Sequence, residues 1–481
     1  MAIDTVDLKV SLSGLLQYAA MVIIFVLALV AILTMYGMGG VQWDFIAHWL
    51  SARSLVTPAF YSTLLNGNLA NAILYSNSFY FETLRAPLTG VMMIPFVALG
   101  GNGAVPVYFA SVLSFLLLSA IYISRKFEIP PLILVLLIFT PYVALFLLLL
   151  NGTEIVSMGI MLVAVALLLK NDWKSGIAIG LAGLAKYPNL IFIPLIFLLP
   201  RKERYKAFLA AFLVSLPWLL FNTAVYHIPI FSYIISVGAF SGGGTNNGYF
   251  PIAVMLQSLW LILPELAPAL LILVVAMITN SGKGAAWLKC PWKRLTTLKL
   301  DYRYKVILCF LGLGVLAWLL TAIRGSINDL PRLGYLIYGG LALLFAVSIH
   351  DLFTKWHVTR LVYVSYVSVL FVIMAAILIT WTPYTGYVFR GSSNPTLLAA
   401  ESAINGSGIS KCNMVSNNWV YLIYAGYKAH FPYYYNFTVQ HYPIVYFTDL
   451  GANNTAVNFA NMTKELKYPG LLVAFPKNYT C

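Results

Sequence analysis

The chain has 481 residues, of which 61% are hydrophobic and only 9% charged, and its mean hydropathy is +0.85. Soluble domains carry about a quarter charged residues, so this composition excludes an ordinary soluble protein and indicates a polytopic membrane protein. The net charge of +14 does not indicate nucleic-acid binding, because the cations occur in loops between apolar runs and form no basic stretch interleaved with aromatic residues.

Apolar runs long enough for membrane-spanning helices follow one another along the chain. We predict spans at 15–37, 104–124, 131–150, 153–170, 205–226, 259–279, 304–323, 332–350 and 359–382, with a hairpin of two shorter runs, 174–185 and 188–199. Segment 86–101 is short and contains Pro87 and Pro95, and we place it on the outer membrane edge. This choice puts most cations on the cytoplasmic side, as the positive-inside rule requires. The prediction is an α-helical membrane protein with about 11 transmembrane helices and a cytoplasmic N-terminus.

The composition changes near residue 391, where Asn, Tyr, Ser and Gly replace the long Leu, Val and Ile runs. Short apolar runs at 412–416, 442–447 and 471–475 predict strands, and 418–428 and 456–466 predict helices between them. We therefore predict a transmembrane module over 1–390, with a juxtamembrane outer loop at 38–103. A small extracytoplasmic α/β domain is predicted over 391–481.

The tail contains five Asn-x-Ser/Thr sequons, which indicate glycosylation on the outer side of the membrane. They are Asn405, Asn436, Asn453, Asn461 and Asn478. Cys412 and Cys481 bracket the tail, and an outer location makes a disulfide between them plausible; two free thiols are the alternative.

The first outer loop holds charged and polar side chains between two strongly apolar segments. Asp44, His48, Arg53, Glu82 and Arg85 lie there close to the membrane, where ionisable groups are costly and suggest a functional site. Asp44 follows the first span and opens an amphipathic stretch that we expect to lie along the membrane interface. Its carboxylate is suited to accepting a proton from a hydroxyl nucleophile; the alternative is an ordinary helix N-cap.

Few cations lie on the predicted outer side before the tail. Lys186 falls between two apolar runs, where an unpaired cation is costly unless an anion meets it. Arg324 and Arg332 flank a short outer loop and are able to clamp a phosphate group, or else only anchor the ends of spans. Together these cations predict a site for an anionic group at the outer face.

Three stretches of the sequence resemble GT-C-fold glycosyltransferases. They are WDFIAHWLSARSL (43–55), FYFETLRAPLTGVMMIPFVAL (79–99) and GLAGLAKYPNLIFIPLIFLLPRKERYK (180–206). The pattern is most similar to polyprenol-phosphate-mannose-dependent α-mannosyltransferases, and it covers residues 15–226. The resemblance implies a GT-C fold in which Asp44, just after the first span, acts as general base.

The resemblance also implies an activity at the outer face of the cell membrane. A hexose, with mannose as the first candidate, would pass from a polyprenyl- or dolichyl-phosphate donor to an acceptor by an inverting mechanism. The acceptor would be a lipid-linked glycan, a glycolipid or a glycoprotein. The substrate-binding residues that we predict are His48, Glu82, Arg85, Lys186, Tyr187, Arg324 and Arg332. We predict no metal because no DxD motif occurs, although Asp44 and Glu82 could share one, and we predict no cofactor. The tail sequons favour an archaeal surface protein and hence dolichyl phosphate as the carrier.

Two other classes of protein have to be weighed against this hypothesis. A transporter or flippase of lipid-linked sugars usually has ionisable residues in mid-span and often inverted repeats, and the sequence pattern shows neither. A structural envelope protein would not need Asp44, Glu82 and Lys186 at the bilayer edge. The sequence also contains no P-loop, which argues against an ATP-driven pump.

Overall fold

The computed structural model describes most of the helical region and the larger part of the C-terminal region. The described ranges are 12–37, 43–58, 85–140, 142–148, 152–234, 301–323, 330–355, 394–417, 419–430, 442–447, 462–468 and 471–477, with scattered residues in 252–270 and 365–376. Within these ranges the protein is mostly helical and carries one small sheet near its C-terminus.

The helices before the C-terminal region follow the long apolar runs of the sequence. They are α1 (Leu12–Gly37), α2 (Trp43–Leu55), α3 (Leu88–Gly100), α4 (Val105–Phe127), α5 (Pro131–Ile138), α6 (Thr153–Leu169), α7 (Ser175–Ala185), α8 (Arg201–Tyr226), α9 (Tyr302–Ile323), α10 (Leu330–Leu333) and α11 (Tyr335–Lys355). A 3-10 turn (Gly101–Ala104), a π-helical turn (Tyr142–Leu147) and a 3-10 helix (Tyr187–Leu198) lie between them.

Four described stretches are long and apolar enough to cross a membrane: Leu15–Tyr36, Leu88–Phe127, Arg201–Ala224 and Tyr302–Ile323. Shorter apolar helices accompany them at Thr153–Leu169, Ser175–Ala185, Tyr187–Leu198 and Tyr335–Asp351. Apolar helices of this length and number indicate a membrane protein, as the composition predicted. The predicted spans at 259–279 and 359–382 fall largely outside the described residues.

The stretch Leu88–Phe127 is two helices rather than one. Helix α3 has 13 residues, a length of about 20 Å, which is less than the roughly 30 Å hydrocarbon core of a bilayer. It ends where Gly101 adopts a positive φ of 52°, a conformation that favours glycine. The 3-10 turn then leads into α4, which has 23 residues.

The predicted span over 131–150 is also interrupted. Helix α5 ends at Ile138, and the described chain resumes as the π-helical turn Tyr142–Leu147. The sequence gives the reason, because Pro141 disfavours helical geometry at the residue before it, Thr140.

Small residues allow the helices to approach one another closely. A Cβ atom on Gly176 of α7 would overlap the carbonyl oxygen of Ala207 in α8, and one on Gly180 would lie 2.9 Å from the carbonyl oxygen of Ala211. Gly314 gives α9 the same close approach to α11. Such contacts between small residues are the usual way in which membrane helices pack.

We define the C-terminal module as residues 394–477; its described residues form a mixed five-stranded sheet and two helices. Its elements are α12 (Asn394–Gly406), β1 (Asn413–Ser416), α13 (Trp419–Tyr424), β2 (Lys428–His430), β3 (Ile444–Phe447), β4 (Met462–Tyr468) and β5 (Leu471–Pro476). The strand order is β2-β1-β3-β5-β4, with β1 parallel to β2 and β3, and β5 antiparallel to β3 and β4.

The three strands that the sequence predicts are present as β1, β3 and β5. The predicted helix over 456–466 is wrong where the structure describes it, because Met462–Tyr468 is the edge strand β4. The segment MTKELKY is rich in helix-forming residues, but pairing with β5 overrides that preference, and its lysines and glutamate suit an exposed sheet edge.

The cysteines and sequons of the tail are described only in part. Cys412 is buried and disulfide-bonded, and Cys309 in α9 is a free thiol. Cys481 lies outside the described residues, so its pairing with Cys412 stays a prediction. Asn405 is exposed in the last turn of α12, as glycosylation requires, and the other four sequon asparagines lie outside the described residues.

Candidate functional site

Helix α2 carries the predicted general base and is held by its apolar face. The side chains of Phe45, Ile46, Trp49 and Leu50 are completely or almost completely buried. The rings of Phe45 and Trp49 stack with centroids 5.8 Å apart, and that of Trp49 lies edge-on to Tyr108 of α4 at 6.1 Å. The apolar face that we expected along the membrane interface therefore packs inside the protein, which fixes the direction of the polar face.

Asp44 lies in the first turn of α2 and binds two arginines. Its Oδ1 atom is 2.5 Å from Nη1 of Arg85, and its Oδ2 atom accepts a hydrogen bond from Nη1 of Arg332. Burial alone would raise the pKa of Asp44, but Arg85 and Arg332 outweigh it and hold the pKa below its ordinary value. The carboxylate is therefore ionised, and both of its oxygens face guanidinium groups.

His48 lies one helical turn after Asp44 and is 6% exposed. Burial, and next the charge of Arg85, lower the pKa of its imidazole to about 3. The ring is therefore neutral at physiological pH, which leaves one nitrogen as a hydrogen-bond donor and the other as an acceptor. The charges of Asp44, Lys186 and Arg332 also act on it, so the imidazole belongs to the same cluster.

Lys186 lies at a break between two helices. Helix α7 ends at Ala185, Lys186 adopts an extended conformation with φ −157° and ψ 124°, and the 3-10 helix begins at Tyr187. Broken helices of this kind in membrane proteins bring backbone and charged groups to substrate and ion sites. The Lys186 side chain is 14% exposed and pairs with Oε1 of Glu154, which is completely buried in the first turn of α6.

The Lys186–Glu154 pair is supported by neighbouring polar groups. Oε2 of Glu154 accepts a hydrogen bond of 2.7 Å from the hydroxyl of Thr153. The Lys186 ammonium lies 5.6 Å from the ring centroid of Tyr335, whose hydroxyl donates to Oδ1 of Asn189 at 2.8 Å. These contacts hold the ammonium in place near Asp44, close enough for Lys186 to help lower the pKa of Asp44.

Tyr187 connects the broken helix to the arginine. Its hydroxyl donates to the carbonyl oxygen of Arg85 at 3.2 Å and accepts a hydrogen bond of 2.9 Å from the indole of Trp218 in α8. The main chain of Arg85 is therefore held by Tyr187, while its side chain is held by Asp44.

The structure brings together six of the residues that we predicted from the sequence for the site. They are Asp44, His48, Arg85, Lys186, Tyr187 and Arg332. Glu82 and Arg324 lie outside the described residues, so their role stays a prediction. We call the six residues together with Glu154 the Asp44 cluster.

Sequence reasoning missed Glu154, Tyr335 and Asn189. Glu154 is one of few acidic residues at the predicted outer face, but nothing in its local pattern pairs it with Lys186, 32 residues later. Tyr335 and Asn189 are 146 residues apart and look like ordinary apolar-helix residues in the sequence. Only the packing of α6, the 3-10 helix and α11 shows that they support Lys186.

A second set of ion pairs lies at the start of α9. Arg303 binds Asp301 at 2.8 Å and Asp351 at 3.2 Å, and the hydroxyl of Tyr304 donates to Asp351 at 3.0 Å. The hydroxyl of Tyr302 also donates to the carbonyl oxygen of Leu168 at the end of α6. These contacts join the start of α9 to the ends of α6 and α11, which are the opposite ends of α6 and α11 from Glu154 and Tyr335.

The described residues contain no group of three or more His, Cys, Asp or Glu side chains placed to hold a metal ion. Comparison of the chain with protein-family models, curated proteins and solved structures finds no match. A proposal about function therefore rests on the Asp44 cluster itself.

Proposed function

We propose that this protein is a membrane glycosyltransferase with a GT-C-like arrangement of about 11 spans. It moves a hexose, with mannose as the first candidate, from a polyprenyl- or dolichyl-phosphate donor to an acceptor at the outer face. The acceptor is a lipid-linked glycan, a glycolipid or a glycoprotein. One observation carries the proposal: the Asp44 carboxylate lies with Arg85, Arg332 and Lys186 in a largely buried cluster where apolar helices end.

The charges of the cluster suit a lipid phosphate. Among the described residues, the cluster holds three basic side chains and two carboxylates. The neutral His48 adds no charge to this count. One surplus positive charge in a poorly hydrated site favours an anion, and a phosphodiester carries one negative charge. Arginine is suited to this role since its planar guanidinium binds phosphate oxygens in pairs.

Donor binding changes which groups the Asp44 carboxylate contacts. The phosphate competes with the Asp44 carboxylate for the guanidinium groups of Arg85 and Arg332. As the arginines bind phosphate oxygens, a carboxylate oxygen of Asp44 becomes available to the acceptor hydroxyl, and the pKa of Asp44 rises toward its ordinary value. Asp44 is then a better base than it is in the arginine-bound state.

The chemical step is a single displacement. The acceptor hydroxyl oxygen attacks the anomeric carbon of the sugar, and its proton passes to Asp44. The bond between the anomeric carbon and the phosphate oxygen breaks, and the lipid phosphate leaves with the electron pair. Arg85, Arg332 and Lys186 stabilise the additional negative charge on that phosphate. One displacement inverts the anomeric configuration, so a β-linked donor gives an α-linked product.

The test uses purified protein in liposomes with radiolabelled dolichyl-phosphate-mannose or dolichyl-phosphate-glucose. We expect the wild type to release dolichyl phosphate by transfer or hydrolysis, and Asp44→Asn to be slower by a factor on the order of 100 or more. Asp301→Asn is the matched control, because it makes the same chemical change in an ion pair at the start of α9, outside the Asp44 cluster.

Three outcomes contradict the proposal in different ways. Equal turnover by wild type and Asp44→Asn would remove Asp44 from the chemistry. An equal loss in Asp301→Asn would show that the assay reports only damaged packing. An inactive wild type that moves fluorescent lipid-linked sugar between leaflets would identify the flippase alternative instead.

A further inference from the structure

The turn between α3 and α4 presents one polar side chain, that of Asn102. The sequence Gly100-Gly101-Asn102-Gly103 ends α3 and forms the 3-10 turn that starts α4. Gly101 has a positive φ of 52°, and a Cβ atom on Gly101 or Gly103 would meet nothing within 4 Å. Gly101 therefore serves the conformation of the turn rather than close packing, and the turn places Asn102 beside α2.

Asn102 uses both ends of its side-chain amide. Oδ1 accepts a hydrogen bond of 3.0 Å from the indole Nε1 of Trp49 in α2, and Nδ2 donates to the carbonyl oxygen of Tyr424 at 3.0 Å. Its carbonyl oxygen also accepts a long hydrogen bond of 3.4 Å from the hydroxyl of Tyr36 at the end of α1. Because donor and acceptor are both engaged, the amide has only one orientation that satisfies its partners.

Tyr424 is the last residue of α13 in the C-terminal module. Carbonyl groups in the last turn of a helix have no partner within the helix, and they attract donors and cations. Asn102 binds the carbonyl of Tyr424, and Arg53 of α2 donates to the carbonyl of Ile423 at 3.3 Å. The C-terminal module is therefore fastened to α2 by the end of its own short helix.

The same short helix α2 carries the Asp44 cluster on another face. Trp49 and Arg53 are one turn apart; Trp49 donates to Asn102 and Arg53 donates to α13. Asp44 and His48 are one turn apart and belong to the Asp44 cluster. A continuous α-helix moves as one body, so a shift at Trp49 also displaces Asp44. Misplacing a catalytic group by about 1 Å costs up to 100-fold in rate.

We infer that the C-terminal module positions the Asp44 helix through Asn102, which makes Asn102 a positioning residue for the transfer reaction. The inference rests on the proposed function for its effect on rate. Its structural part, that α2 is held in place by the bond from Asn102 to the C-terminal module, can be measured without any substrate.

The main variant is Asn102→Asp, which has nearly the same shape. It keeps an oxygen for Trp49 but replaces the donor to Tyr424 with an oxygen that faces a carbonyl. We expect kcat to fall by roughly 10- to 100-fold, while KM for dolichyl-phosphate-mannose stays within about twofold. Trp49→Phe removes the other hydrogen bond of Asn102 and keeps an aromatic ring, although a smaller one, so it should give the same pattern if Asn102→Asp folds poorly.

Two controls separate positioning from general damage. Tyr424→Phe removes the contact of 3.3 Å between the hydroxyls of Tyr424 and Tyr36, at the same interface, and leaves the Asn102 bond to the Tyr424 main chain. Asn171→Asp makes the same isosteric change in the turn after α6, where Asn171 accepts a hydrogen bond from Tyr302. Both should keep kcat close to the wild-type value.

Hydrogen exchange of the α2 backbone amides, followed by mass spectrometry, is the measurement that does not need activity. Faster exchange in α2 of Asn102→Asp, with unchanged exchange in α7, supports the inference even where the wild type transfers no sugar. Exchange in α2 that equals the wild type overturns it. In an active protein, a fall in kcat for Tyr424→Phe as large as that for Asn102→Asp also overturns it.

Discussion

Nη1 of Arg85 lies 2.5 Å from Oδ1 of Asp44, while Arg332 binds the other carboxylate oxygen. Arg85 precedes α3, whereas Arg332 lies in α10 and is 288 residues from Asp44 in the chain. Because the carboxylate is held between two guanidinium groups, an incoming anion would compete with it for those groups.

Replacing Arg332 with lysine should weaken donor binding more than it changes the rate at saturation. Lysine keeps the positive charge but offers a compact ammonium that cannot bind carboxylate and phosphate oxygens in pairs. We expect KM for the dolichyl-phosphate donor to rise by roughly tenfold, which corresponds to about 1.4 kcal/mol of binding free energy. Steady-state kinetics in liposomes measures this.

Arg303→Lys is the matched control for that change. Arg303 also binds two aspartates, Asp301 and Asp351, but it lies at the start of α9, outside the Asp44 cluster. A rise in KM of the same size in Arg303→Lys would show that the effect of Arg332→Lys is not specific to the site.

The buried pair of Glu154 and Lys186 should be sensitive to the loss of one partner. Glu154→Gln leaves the Lys186 ammonium without its countercharge in a poorly hydrated place, so we expect the free energy of unfolding to fall by about 3–5 kcal/mol. The double variant Glu154→Gln/Lys186→Met should recover much of that loss, because no unpaired charge remains. Chemical unfolding in detergent measures both.

The comparison for this pair is Glu203→Gln. Glu203 pairs with Lys206 at 2.9 Å, but the two side chains are 28% and 58% exposed. An exposed pair contributes at most about 1 kcal/mol. The prediction fails if Glu154→Gln is as mild as Glu203→Gln.

The buried imidazole of His48 should make stability depend on pH. Its pKa is about 3 in the folded protein against an ordinary value of 6.5, so between these values the unfolded chain binds a proton that the folded protein does not. Stability is therefore fully present above about pH 6.5 and falls as pH decreases toward 3, by roughly 1.4 kcal/mol per pH unit. Unfolding midpoints between about pH 4.5 and 8 test this above the window in which Asp44 titrates.

Two variants identify the histidine responsible for this slope. His48→Asn should reduce the slope between about pH 4.5 and 6.5. His227→Asn should keep it, because His227 is exposed at the end of α8. A slope in His48→Asn as steep as that of the wild type would contradict a neutral, buried His48.

Gly176→Ala should disrupt the position of α7. The added Cβ atom would overlap the carbonyl oxygen of Ala207, so α7 and α8 must separate, at a cost of about 1–3 kcal/mol or more. Since α7 ends next to Lys186, donor turnover should fall as well. Gly312→Ala is the control, because a Cβ atom there meets nothing within 4 Å and alanine favours the helix by up to about 1 kcal/mol. Equal stability of the two variants would contradict the close packing of α7 and α8.

Much of the local structure was predictable because it depends on nearby residues. Long Leu, Val and Ile runs gave helices close to the predicted spans, such as Thr153–Leu169 for 153–170 and Tyr302–Ile323 for 304–323. Lys186 between two apolar runs did mark a break in the helix. Short apolar runs between polar residues gave β1, β3 and β5.

The errors have a physical cause in long-range pairing. Met462–Tyr468 has the composition of a helix, but its pairing with β5 makes it a strand. The apolar side chains of α2 suit a membrane interface equally well, and contacts with α4, not their pattern, bury them in the protein.

By itself, the sequence determined that this is a helical membrane protein and that a few ionisable residues lie close to its apolar segments. Composition and hydrophobic runs carry this information because transfer of each segment from water depends on that segment alone. Only the tertiary structure decided that Asp44 binds Arg85 and Arg332, that Glu154 pairs with Lys186, and that Asn102 joins α2 to the C-terminal module. Each of these contacts joins residues from different helices or turns, and it forms only after the apolar faces have packed and set the distance between them.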